Sequence, residues 1–166
     1  MTVDVETQYD KIYRYCYFRL HNRETAEDLT QEAFLRYFEK YDCHTAQQAE
    51  KCLYTIARNL CIDEYRKLQQ SKDAWQELIG SSFCDETLQQ YTGGEQFLTC
   101  LAVRDALSDL NKEEQELLLL RYVNEVPAAV IGRVLGISRF AVYRKLAAVS
   151  KKFKEHMIKQ RHEQSQ

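Results

Sequence analysis

The stretch GRVLGISRFAVYRK, residues 132–145, interrupts an apolar segment with Gly-Ile-Ser and then resumes with basic and aromatic side chains. Gly136 permits the left-handed backbone of a tight turn, and Ser138 is a favourable residue for starting a helix. Gly132 provides a minimal side chain where the two helices would come closest. The spacing predicts a helix that ends near Leu135, a short turn and a second helix, which is the pattern of a helix-turn-helix.

Apolar residues on both sides of the turn are spaced to face a common core: Ile131, Leu135, Ile137, Val142 and Leu146. Six other side chains stay outside that core near the start of the second helix: Ser138, Arg139, Phe140, Tyr143, Arg144 and Lys145. This end of a recognition helix contacts base edges in the major groove. An antiparallel helix hairpin without a DNA role fits the spacing as well, but the basic charge beside the turn favours DNA binding.

The rest of the chain favours an all-α fold. Its 166 residues include one proline and five glycines, and the long uninterrupted stretches are rich in good helix formers. Periodic apolar residues predict three helices in the first part of the chain: Tyr9 to Leu20, Thr25 or Asn22 to about Tyr41, and about Gln47 to Gln69. Each has one apolar face, so the three can close a small bundle.

Residues 70–96 lose this period and contain glycine and serine clusters among acidic and amide side chains. The segment is longer than an ordinary connection inside a compact domain, which favours a flexible linker. The sequence therefore predicts two small helical domains, residues 1–69 and 97–166, the second of which contains the helix-turn-helix.

Charge is segregated along the chain, although the net charge is only −2. Residues 51–72 carry five basic and two acidic side chains, and residues 117–166 carry ten and three. Between them, residues 73–116 carry ten acidic and two basic side chains. Two basic surfaces separated by an acidic middle suit a protein that touches a polyanion twice.

The sequence offers little for catalysis or metal binding. It has no phosphate-binding glycine loop, and Cys43, His44 and Cys52 lack the paired Cys-x-x-Cys spacing of a zinc site. We therefore expect no enzymatic activity, no cofactor and no metal. The acidic N-terminus and the absence of an apolar run of about 20 residues predict a cytoplasmic protein without membrane insertion, whose cysteines remain thiols.

Two pairs of motifs together resemble one family. AEDLTQEAFLRYF with LYTIARNLCIDEYRK, and LSDLNKEEQELLLLRYV with LGISRFAVYRKLAAVSKKF, look like regions two and four of a bacterial RNA polymerase sigma factor. The compact extracytoplasmic-function type has only these two regions. The resemblance implies a sigma factor that binds core RNA polymerase and directs promoter recognition, DNA melting and transcription initiation.

The resemblance also implies three binding surfaces. Residues that would dock on the clamp coiled coil of the polymerase are Asp28, Gln31, Glu32 and Leu35. Residues that would bind and melt the −10 element are Tyr54, Arg58, Asn59, Arg66 and Lys67, with residues 42–48 as the loop beside a flipped base. Residues that would bind the −35 duplex are Ser138, Arg139, Phe140, Tyr143, Arg144 and Lys145. The polymerase flap, promoter DNA and an anti-sigma factor are the other implied partners.

A rival interpretation is a polymerase-independent helix-turn-helix regulator, in which the N-terminal lobe senses a ligand or dimerises. A decoy that docks on polymerase or an anti-sigma factor without contacting promoters is another. A sensor lobe would not need DLTQEAF beside a basic ARN helix, so the sequence favours the sigma factor.

Overall fold

The computed structural model describes residues 4–40, 45–70 and 102–165, and all regular structure within these ranges is helical. The N-terminal lobe comprises α1 (Val5–Leu20), α2 (Arg23–Lys40) and α3 (Ala46–Gln70). The C-terminal lobe comprises a helical segment at residues 102–108, α4 (Lys112–Leu118), a π-helical turn (Leu119–Val123), α5 (Ala128–Leu135) and α6 (Arg139–Gln164). The expectation of an all-α chain is confirmed. Nearly all of the predicted linker, and residues 42–44 of the predicted loop, lie outside the described residues.

Short polar side chains cap the helices of the N-terminal lobe. Asp4 accepts a hydrogen bond from the backbone N–H of Thr7, so α1 begins a turn earlier than the apolar pattern predicted. The Asn22 side chain accepts from the N–H of Thr25 at 3.0 Å. The sequence allowed either Asn22 or Thr25 as the N-cap of α2, and the structure has Asn22.

The three N-terminal helices pack against one another around a core that includes Ile12, Cys16 and Leu20, whose four-residue spacing predicts a common helix face. The apolar spacing in α2 predicts one stripe that includes Phe34, Tyr37 and Phe38, but Phe38 is 62% exposed. Tyr37, which belongs to the same stripe, is buried as expected. One residue further along a helix is a rotation of about 100°, which is enough to turn Phe38 to solvent.

In the C-terminal lobe, the spacing of Asn111 and Glu114 predicts a capping box. The two residues form it, and each side chain accepts from the other's backbone N–H. The sequence predicts one helix from this cap through Val123, but the last five residues, Leu119–Val123, form a π-helical turn. This turn leaves Asn124 buried at its end.

The helix-turn-helix has the predicted geometry. Gly136 adopts the left-handed conformation with φ 71°, and the hydroxyl of Ser138 accepts from the N–H of Ala141 at 3.1 Å. A Cβ placed on Gly132 would lie 2.7 Å from the carbonyl oxygen of Ile137. Helix α5 therefore approaches the backbone of the turn more closely than a residue with a Cβ would allow.

The two lobes are packed together rather than only tethered. Helix α3 packs against α5, and α1 contacts the π-helical turn. The buried apolar residues of both lobes belong to one contiguous cluster. The sequence predicted two domains and a linker but not this contact, because each lobe's periodicity identifies an inward face without identifying what covers it.

We predict that Gly132→Ala lowers the free energy of unfolding by about 1–2 kcal/mol, although alanine is the better helix former. The new methyl group would meet a backbone oxygen, so α5 or the turn must shift. Chemical denaturation measures the change. Gly136→Ala is the comparison, because a Cβ on residue 136 meets no atom within 4 Å. The loss of stability in that variant comes only from holding alanine in the left-handed conformation. A stabilised Gly132→Ala variant would contradict the close approach.

Candidate nucleic-acid interface

The start of α6 presents a basic and aromatic surface. The six side chains predicted to bind the −35 element are all exposed: Ser138, Arg139, Phe140, Tyr143, Arg144 and Lys145. Phe140 is 78% exposed, and the guanidinium of Arg139 lies 5.9 Å from the ring centroid of Tyr143. On the start of a recognition helix, exposed guanidinium groups can donate hydrogen bonds to base edges, and exposed aromatic rings can contact thymine methyl groups.

The basic face continues along α6. Lys151 and Lys154 are exposed. Lys152 instead donates to Glu114 of α4 at 2.6 Å, and this hydrogen bond lowers the pKa of the Glu114 carboxyl. Lys151 and Lys154 are therefore more available to phosphates than Lys152.

The five candidates for the −10 element divide between two faces of α3. Asn59, Arg66 and Lys67 are exposed together on one face. Arg66 and Lys67 make only wide ion pairs with residues on their own helix, at 3.9 and 3.7 Å. Such exposed pairs contribute little, so these side chains remain available to a polyanion.

Tyr54 lies on the other face of α3 and is fully buried. Its hydroxyl accepts a hydrogen bond from the side-chain amide of Asn124 at 3.0 Å, and its ring meets Tyr15 edge to face at 5.8 Å. Burial raises the pKa of Tyr54. In this arrangement the C-terminal lobe separates Tyr54 from solvent.

Arg58 also points to the C-terminal lobe, where its Nε donates to Oε1 of Glu116 at 2.9 Å. The same oxygen accepts from the Tyr15 hydroxyl at 2.6 Å, and Arg19 lies 3.2 Å from Oε2. Burial, followed by the charge of Glu116, raises the pKa of Tyr15. We name this group the Glu116 cluster: Tyr15, Arg19, Arg58 and Glu116.

Sequence reasoning did not identify Glu116 or Asn124. One signal was present: Glu116 stands one helical turn before Leu119 and Leu120, so it begins an apolar face. A charged residue on a buried face requires partners, but nothing in the sequence names them.

The outer face of α2 carries the predicted polymerase-docking residues. Asp28 and Gln31 are exposed, and Leu35 is 56% exposed. Glu32 is half-buried and forms an ion pair with Arg36, one turn further along, at 2.6 Å. With Phe38 these residues form a surface with an apolar centre and a polar rim, which we call the α2 face: Asp28, Gln31, Glu32, Leu35 and Phe38.

Among the described residues, no group of three or more histidine, cysteine or acidic side chains is placed to hold a metal ion. Cys43 and His44 lie outside the described residues. Within the part of the chain that the structure describes, no helix is long and apolar enough to cross a membrane.

Comparison with known proteins decides the family. Residues 5–71 match the model of sigma-70 region 2, and residues 100–153 match that of sigma-70 region 4. The chain is 30% identical to the ECF RNA polymerase sigma factor SigW of Bacillus subtilis, over 80% of this chain and 75% of SigW. The chain belongs to the ECF sigma factors. The resemblance predicted from the four motifs is thereby confirmed.

A second relative of this sigma factor is BldN of Streptomyces coelicolor, also an ECF RNA polymerase sigma factor. The two are 33% identical over 80% of this chain. The chain spans about half the length of BldN, since the match covers 51% of it. The fold resembles that of the sigma factor RpoE from Bartonella quintana, solved in complex with the anti-sigma factor NepR. That match has a TM-score of 0.63 and 13% identity, and covers 93% of this chain and 94% of RpoE.

The α2 face of this sigma factor is predicted to add little to its stability. Phe34→Ala is expected to cost about 3 kcal/mol because Phe34 is buried in the core. Phe38→Ala, one turn further along the same helix, is expected to cost less than about 1 kcal/mol. Denaturant unfolding of both variants measures the difference. Equal losses would show that Phe38 is a core residue.

Proposed function

We propose that this sigma factor binds core RNA polymerase and directs promoter recognition, DNA melting and transcription initiation. The observation that carries the proposal is the presence of three exposed surfaces: the α2 face, the basic face of α3 and the basic start of α6. Packing of the described helices requires none of them. Two of these surfaces suit DNA, and one suits a protein partner.

In this proposal the α2 face docks on the clamp coiled coil of the polymerase. Leu35 and Phe38 supply the exposed apolar centre that a protein interface buries, and Asp28 and Gln31 supply the polar rim. Glu32 contributes charge while it remains paired with Arg36. The outer helices of the C-terminal lobe rest on the polymerase flap.

Helix α3 then binds the −10 element and separates its strands. Asn59, Arg66 and Lys67 are available at once, whereas Tyr54 and Arg58 become available when the lobes part. Extruding a base costs a few kcal/mol of stacking, which a pocket and phosphate contacts must offset. The loop at residues 42–48 is the proposed position of that pocket. This is strand separation by binding, with no bond chemistry, so the protein is not an enzyme.

Helix α6 contacts the −35 element as duplex DNA through its six exposed side chains, from Ser138 to Lys145. The acidic linker, residues 70–96, joins domains at residues 1–69 and 97–166 and passes through the polymerase interior. An anti-sigma factor is a further proposed partner, which the RpoE–NepR complex supports by analogy of fold. The proposed place of action is the cytoplasm, beside the polymerase.

Run-off transcription tests the proposal. We expect the chain, added to core polymerase and a genomic template pool, to create start sites that core polymerase alone does not use. The double variant Leu35→Ala/Phe38→Ala is expected to lose them because it loses the apolar centre of the docking face. The pair Arg23→Ala/Glu27→Ala, an exposed ion pair elsewhere on α2, is the control. Absence of new start sites would refute the function, and sequence-specific DNA binding without polymerase would favour the rival regulator.

Arg144→Ala is expected to weaken promoter binding by the reconstituted holoenzyme and to reduce the magnitude of the salt slope by about 1, if Arg144 neutralises one phosphate. Binding to the promoter fragment recovered by run-off transcription, titrated with salt, provides the measurement. Lys159→Ala is the control, because Lys159 is exposed on the same helix far from its start. Unchanged affinity with Arg144→Ala would remove that side chain from the DNA surface.

A further inference from the structure

Two cysteines of the N-terminal lobe meet in its core. Cys16 lies on α1 and Cys61 on α3, and these two helices pack against each other. Both are free cysteines, and the two residues are 0% and 1% exposed. The Cys61 thiol donates a hydrogen bond to the Cys16 sulfur, so the two sulfur atoms are in direct contact between the helices. We call these two residues the thiol pair.

The surroundings make the two thiols chemically unequal. The hydrogen bond from Cys61 lowers the pKa of Cys16, and the charge of Arg19, one turn further along α1, acts in the same direction. The same hydrogen bond, followed by burial, raises the pKa of Cys61. Because the thiolate is the reactive form of cysteine, Cys16 is the nucleophile of the pair and Cys61 is its proton-bearing neighbour.

The contact between the sulfurs is also close enough for a covalent bond. A disulfide has an S–S length of about 2.05 Å, and sulfurs that already share a hydrogen bond need to approach by only about 2 Å to reach it. Rotation about the two Cα–Cβ bonds moves a sulfur atom by that much. The side chain of Arg19 is 19% exposed, so a polar group extends from the surface towards the pair. Small oxidants reach such a site when the helices open locally, so the reaction is expected to be slow.

We propose that Cys16 and Cys61 form a reversible redox site, at which a hydroperoxide oxidises the two thiols to a disulfide that crosslinks α1 to α3. The Cys16 sulfur attacks the terminal oxygen of the peroxide and the O–O bond breaks. The Cys16 proton leaves with the departing oxygen as water or an alcohol, and Cys16 becomes a sulfenic acid. The Cys61 sulfur then attacks the Cys16 sulfur, the S–O bond breaks, and hydroxide leaves with the Cys61 proton as water.

Two electrons pass from the thiol pair to the peroxide, and a dithiol reductant returns them. In a reducing environment the pair therefore rests as two thiols. The disulfide closes a loop that contains the whole of α2, which restricts the unfolded chain and so stabilises the three-helix bundle. The exposed basic face of α3 lies on the crosslinked helix, so oxidation holds that face on the bundle. This inference does not rest on the proposed function.

Peptide mapping of the full-length chain tests the site. The reduced protein is treated with hydrogen peroxide, the remaining thiols are alkylated in denaturant, and the chain is digested with trypsin without reduction. Trypsin places the two cysteines in separate peptides, residues 15–19 and 59–66. We expect these peptides to be recovered linked, and to separate after treatment with dithiothreitol. Oxidation in guanidinium is the control, because the unfolded chain has six cysteines and many possible pairings, of which this link is then only one.

Thermal unfolding measures the effect of the crosslink. The midpoint of the oxidised chain is expected to exceed that of the reduced chain by about 5 °C or more. Cys61→Ala is expected to lose both the linked peptide and the shift. Cys52→Ala is the matched control and is expected to keep both, because Cys52 is a half-buried cysteine of the same helix outside the thiol pair.

The wild-type chain decides the proposal even if Cys61→Ala does not fold. Peroxide-treated wild type in which both thiols are still alkylated would overturn the redox site, and so would a Cys16 linked mainly to another cysteine. A correct link without a rise in the midpoint would overturn its role in stabilising the bundle. Run-off transcription is a separate readout, so failure of the proposed function and failure of the redox site are distinguishable.

Discussion

The interaction on which the arrangement of this sigma factor depends is the burial of Glu116 between its two lobes. Placing a carboxylate out of water is costly, and Tyr15, Arg19 and Arg58 offset that cost only when α1 and α3 lie against α4. The apolar contact between α3 and α5 would tolerate a range of orientations. The hydrogen bonds to Glu116 do not, because each requires a particular distance and direction. Packing therefore brings the lobes together, and the carboxylate determines how they are oriented.

Charge has two roles in this molecule. On the surfaces of α3 and α6, Arg66, Lys67 and Arg144 are exposed. Among the described contacts their ion pairs are weak or absent, so a polyanion can replace the protein's own carboxylates as their partner. At the interface, Arg19 and Arg58 are held by a buried carboxylate. The same residue type thus holds the two lobes together at the interface and forms an exposed basic surface on α3 and α6.

Much of the local structure was predictable because it depends on neighbouring residues. Gly136, Ser138 and the Asn111–Glu114 capping box set helix ends through backbone conformations and hydrogen bonds that span three or four residues. The exposed start of α6 followed from the same spacing. The sequence failed at Phe38, where a single helical step separates core from surface, and at the π-helical turn, which no composition signal marks.

By itself the sequence determined the helices, the helix-turn-helix, the family and the candidate binding residues, because periodicity, caps and motifs are local properties. Only the tertiary structure decided which of those residues are accessible. Tyr54 and Arg58 lie on one helix with Asn59 and Arg66, yet Tyr54 is buried and Arg58 is partly buried, whereas Asn59 and Arg66 are exposed. The physical reason is that Glu116 and Asn124 meet their partners across separations of 58 to 113 residues. Contacts at that range depend on how whole helices pack, which no short stretch of sequence specifies.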